Sequence, residues 1–108
     1  LPKAAAWPHA LHMRLEDDPR FVEALQHFEQ GDYLEASDLF EELFFEAVRE
    51  EVPLVRFMLQ ISTGLHHISR GQMRAARERI EEGLRVDVPN AFGVDLAHIR
   101  EVAKRALH

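Results

Sequence analysis

The 108-residue sequence contains no cysteine, and glycine and proline occur only five times each. Without cysteine there are no disulfides, thiolate metal sites, iron–sulfur clusters or cysteine nucleophiles, and the composition suits a reducing cytoplasm, where the chain is expected to reside. The scarcity of helix breakers argues against a loop-rich fold. No stretch alternates polar and apolar residues over a strand's length between turn signals, so no sheet is expected. Long hydrophobic runs are missing too. None reaches the ~18 residues of a membrane span, and no basic start followed by an apolar segment marks a secretory signal, which leaves membranes out of the expected partners. Bases are fewer than acids, 13 against 19, and the net charge of -6 repels phosphate backbones and anionic lipid, so nucleic acid is an unlikely partner. No glycine-rich phosphate loop and no glycine-flanked serine elbow is present, and Ser62 beside His66 is only a neighbouring pair on one helical turn.

What is there is helix-forming. Leu, Ala, Glu and Arg dominate, and the 46% hydrophobic content at this length suits one domain with one core. Residues 1–16, with Pro2, Pro8 and the lone Trp7, read as an N-terminal arm whose Trp7 packs onto a body formed by residues 17–108. Asp18 before Pro19 predicts a capped helix from Pro19 to Gln30 with Phe21, Ala24, Leu25 and Phe28 facing inward. Gly31 stops it. Asp32 then opens a second helix, Tyr33 to Glu50; Pro53 opens a third, Leu54 to Arg70; and Gly71 ends that one. A fourth helix over Met73 to Val86, a loop at Val88 to Gly93 and a final helix capped by Asp95 and running to Leu107 complete an all-α bundle of about five helices.

The two glycine stops belong to an internal repeat with a spacing of 40 residues. His27-Phe-Glu-Gln-Gly-Asp-Tyr-Leu-Glu-Ala36 lies over His67-Ile-Ser-Arg-Gly-Gln-Met-Arg-Ala-Ala76, and Phe40-Glu41-Glu42 lies over Ile80-Glu81-Glu82. Each half predicts one helix-turn-helix hairpin, and stacking the two hairpins buries a shared core. The string Gly-Asp-Tyr-x-Glu-Ala-x-x-x-Phe resembles the turn and second helix of a tetratricopeptide repeat, although that repeat has a period of ~34.

A wider set of positions resembles the domain-of-unknown-function family 309: Phe28, Gly31, Tyr33, Glu35-Ala36, Glu41 and Leu43, then Gln60, Leu65-His66-His67 and Arg70-Gly71, then Ala75-Ala76 and Leu84. The resemblance implies a small helical bundle of bacteria and archaea with no established activity. Where that family usually has His after Glu-Ala, Trp at the end of the Glu-rich helix and a Gln-Gly pair in the third helix, this chain has Ser37, Phe44 and Arg56-Phe57.

Two function classes follow from the side chains. The first is a non-enzymatic interaction domain. Phe44, Phe45, Phe57 and Met58 exceed what one small core can hold, and the surplus predicts an exposed apolar surface for a protein partner or a second copy, giving a homo-oligomer. The second is a small metal-dependent or acid–base enzyme with its site between the second and third helices. The third helix carries a polar stripe of Arg56, Gln60, Thr63, His67 and Arg70, with His66 at its flank, and this stripe could pair with Glu35 or Glu41. Glu41 and His67 are then the candidate catalytic pair, and Glu35, Asp38, Glu41, His66 and His67 the candidate ligands of a metal ion. No other cofactor is expected. Read structurally, His27 and His67 close the last turns of their helices by bonding free carbonyls. Arg74, Arg77, Arg79 and Arg85 alternate with Glu78, Glu81 and Glu82 as an ion-paired, solvated face.

Overall fold

Asp18 and Pro19 start the first helix as their chemistry dictates. The Asp18 carboxylate accepts the Arg20 amide at 2.9 Å, and proline occupies a first-turn position that needs no amide hydrogen. A computed structural model describes residues 12–108; the expected packing of Trp7 lies outside them. Leu15–Asp17 form a 3-10 turn, followed by α1 (Pro19–Glu29), α2 (Tyr33–Glu46), α3 (Val52–Ser69), α4 (Met73–Leu84) and α5 (Leu96–Ala106). No strand occurs among the described residues, and the chain is an all-α bundle. Leu15 is buried in the core, so the packed body begins ahead of residue 17.

The turns at Gly31 and Gly71 are built alike. Their φ angles are +83° and +73°, a conformation that costs other residues a Cβ clash. The Asp32 amide returns to the His27 carbonyl and the Gly31 amide to that of Phe28; Gln72 and Gly71 do the same to His67 and Ile68. Each turn thus satisfies helix-end carbonyls that would otherwise lack partners. The resulting hairpins, α1–α2 and α3–α4, stack through α2 against α3, and α5 crosses α3 and α4.

α3 lies at the centre. Leu54, Val55, Phe57, Met58 and Ile61 are fully buried along it, with Phe21, Phe28, Phe40 and Ile80 packed from its neighbours. Its approach to α4 is close. A Cβ on Gly64 would sit 2.5 Å from Ile80 Cγ1 and 3.2 Å from the Ala76 carbonyl oxygen; one on Gly83 would sit 2.8 Å from Ile61 Cδ1. Each helix therefore inserts an isoleucine where the other lacks a side chain.

The expected second helix to Glu50 is too long. At Ala47 the backbone turns extended (φ -66°, ψ 135°), and Glu51 takes over the chain beyond it. Its amide bonds the Val48 carbonyl at 2.8 Å, while its carboxylate accepts the Val48 amide at 3.1 Å. This closed turn ends α2 four residues early, and α3 starts at Val52 with Pro53 in its first turn. α4 also stops before Val86, because the Arg100 guanidinium donates to the carbonyls of Leu84 and Val86 at 3.0 and 3.2 Å and lies 4.8 Å from the Phe57 ring centroid. α5 keeps the expected cap, with Asp95 accepting the His98 amide at 3.1 Å.

Replacing Gly64 with Ala should cost about 1–2 kcal/mol, because the clash with Ile80 and the Ala76 backbone outweighs the ~1 kcal/mol gained in helix propensity. Gly83→Ala should be near neutral, since the nearest atom is the free end of Ile61. Urea unfolding of both variants checks the difference; a Gly64→Ala chain more stable than the parent would contradict the interlock.

Candidate functional site

The side chains proposed for chemistry are not gathered. Glu35, Asp38 and Glu41 all lie exposed on α2. Gln60 turns to α4, where its amide donates to Glu82 at 2.7 Å and its oxygen accepts from Arg79 at 2.9 Å. Pairing of the α3 polar stripe with Glu35 or Glu41 is corrected at Gln60, whose partners belong to the α3–α4 rim. His67 is seven residues further along α3, about 10 Å along the axis, and its Nδ1 lies 2.7 Å from Gln72 Oε1. Among the described residues no group of three or more His, Asp or Glu is placed to hold a metal ion, so Glu35, Asp38, Glu41, His66 and His67 do not form a ligand set.

His27 and His67 do sit at helix ends, with different partners from those expected. His27 Nδ1 lies 3.4 Å from Asp32 Oδ2, as His67 Nδ1 lies near Gln72 Oε1. Each imidazole thus meets the residue just past the glycine, the N-cap of the next helix, so it braces the turn from outside. Ser62 offers no nucleophile: it is fully buried, and its hydroxyl has no partner among the described residues.

The apolar surplus divides sharply. Phe57 and Met58 are 0% exposed, which removes them from the candidate interface, since their positions on α3 point to the core and to Arg100. Phe44 is half-buried, with the Arg56 guanidinium 5.8 Å from its ring centroid. Phe45 is 78% exposed and meets Phe44 edge-on at 6.4 Å. Met13, Val22, Leu34 and Met73, the other exposed large apolar side chains among the described residues, stand at 46–49%, so Phe45 is the most exposed of these.

Charges around this patch are uneven. Arg20 reaches from α1 to hold Glu46 through both carboxylate oxygens at 2.8 and 3.0 Å, approaches Glu42 at 3.7 Å, and binds Asp18 at 2.9 Å. Bonds to Arg20 hold the carboxyls of Asp18 and Glu46 below their ordinary pKa and push the guanidinium above its own, Glu46 and then Asp18 being the main causes. Asp38, Glu41, Arg49 and Arg56 form no ion pair with any described residue. Among the described residues, both signs therefore stand without an ion pair near Phe44 and Phe45.

Sequence reading missed two polar features. Glu51, 5% exposed, takes the Val48 amide on one oxygen and His12 Nε2, at 3.1 Å, on the other. It borders a cavity of about 320 Å³ that His12, Asn90 and Phe92 also line. Phe92 is held at φ +49° while its amide donates to the Asn90 side chain at 2.9 Å. A carboxylate directly before Val52-Pro53 was the available signal for Glu51; nothing local marks its partner 39 residues away. Arg100 resembles any other arginine of an amphipathic helix until its partners are known.

A family model described as "Domain of unknown function (DUF309)" matches residues 21–78, a span that includes both glycine turns and ends within α4. No curated protein and no solved structure matches the chain.

The Arg20 hub predicts an acid-sensitive α1–α2 contact. Asp18 has a lowered folded pKa, so its contribution is present above its unfolded value and lost as pH falls through the folded one, below about pH 4. Arg20→Met should cost on the order of 1 kcal/mol at pH 7, with the exposed Glu46 adding little to that. It should also flatten the loss of stability between about pH 4 and pH 2. Urea midpoints against pH for parent and variant test this; parallel curves would show that the hub contributes nothing.

Proposed function

The chain belongs to the domain-of-unknown-function family 309, and from that membership, which carries a fold and no activity, we propose a non-enzymatic interaction domain that docks protein through the C-terminal end of α2. A homodimer and a cytoplasmic setting are part of this reading. The observation that carries it is Phe45. An aromatic ring left 78% in water forgoes most of the ~1.5–3 kcal/mol that burial of such a side chain gives, and among the described residues the one aromatic ring it meets is Phe44. Aromatic rings with arginine beside them, as Phe44, Phe45 and Arg56 are, have the composition found at the centres of protein interfaces.

The enzyme alternative has no comparable support. Glu41, Gln60 and His67 would have to share a pocket to move a proton between them, but Glu41 stands exposed on α2, Gln60 is bonded to Glu82 and His67 is bonded to Gln72.

If Phe45 serves a contact and not the fold, Phe45→Gln should change stability by less than about 0.5 kcal/mol. A photoreactive phenylalanine analogue at position 45 should then yield a discrete protein adduct in cells, whereas the same group at the exposed Glu78 should not. A destabilised Phe45→Gln chain, or no adduct at position 45, would remove the reading.

A further inference from the structure

We infer that the partner of the Phe45 surface is a second copy of this chain, paired about a two-fold axis beside Phe45, with Glu41 of each copy facing Arg49 and Arg56 of the other. This rests on the interaction reading above and gives the homodimer named there its two-fold register and its facing residues. Its support is the charge pattern of the patch. Glu41 lies one helical turn before Phe45, with Asp38 a turn further back, whereas Arg49 lies in the link beyond the end of α2 and Arg56 sits over Phe44 from α3. All four are exposed, and none has an ion-pair partner among the described residues.

Of the remaining nearby acids, Glu42 and Glu46 are held by Arg20, and Glu50, exposed next to Arg49, lines the cavity beside His12. The surface therefore presents an acidic side, an aromatic centre and a basic side in sequence. A surface of one sign would require a partner of the opposite sign. This one complements itself under a two-fold rotation, because that operation places the acidic side of one copy on the basic side of the other while the two Phe45 rings meet. Opposed charges of this kind set register more than strength, so the pair is weak and its geometry specific.

Sedimentation equilibrium on the purified chain, from about 10 μM to about 1 mM in moderate salt, should show the mean mass rising from 12.5 kDa towards twice that value. Phe45→Gln should hold it at the mass of a lone chain. Glu41→Arg alone, and Arg49→Glu with Arg56→Glu, should each weaken self-association about tenfold or more, because like charges then face each other. An equimolar mixture of the two charge variants should restore pairing, since both junctions become attractive in the mixed dimer; this recovery also shows that the variants are folded.

A parent that stays monomeric throughout overturns the inference, as does a dimer indifferent to Phe45→Gln or a mixture that fails to recover. A monomeric parent that still gives a discrete adduct with a different protein from position 45 in cells would leave the interaction reading standing and remove only the self-pairing.

Discussion

Ile80 occupies the space above Gly64, and Ile61 occupies the space above Gly83, so α3 and α4 meet at a separation that a side chain at Gly64 would not allow. This interlock sets α3 at the centre of the molecule. Once α4 lies that close along one side, α2 covers much of what remains, and Leu54, Phe57, Met58 and Ile61 lose all contact with water. Dense packing of this kind tolerates few changes of volume, which makes the position of α3 the reference against which the other helices are placed. α5 follows from it: Arg100 spans from that helix to the end of α4 and rests on the Phe57 ring.

Polar side chains in this fold mostly secure ends. Arg20 ties the start of α1 to the end of α2, Glu51 closes the link between α2 and α3, Arg100 closes α4, and the two histidines brace the glycine turns. Each arrangement satisfies groups that helix termini leave open. A bundle that uses its carboxylates, imidazoles and guanidiniums in this way keeps few of them together for chemistry. Among the charges without an ion pair to any described residue are Glu41, Arg49 and Arg56, which flank the aromatic pair at the end of α2.

The number and order of the helices were legible in the residues themselves. Asp18-Pro19, Asp95, Gly31 and Gly71 act within a few positions of where they stand, because caps and left-handed turns are local solutions to unpaired backbone groups. The end of α2 was not legible. Residues 47–50 are compatible with helix, and the turn that replaces it depends on Glu51 being buried and on His12, far away in the chain, reaching it.

The same distinction separates the aromatic residues. Composition alone established that Phe44, Phe45, Phe57 and Met58 were too many for comfort, since volume in a small core is limited by chain length. Which of them is exposed depended on how α3 is rotated against α2 and α4, and that rotation is set by contacts between residues distant in sequence, above all the paired isoleucines and glycines. Local backbone chemistry thus determined where most helices begin and where the glycine turns fall, whereas long-range packing decided where α2 ends, which faces are buried, which charges find partners, and that Phe45 is left exposed.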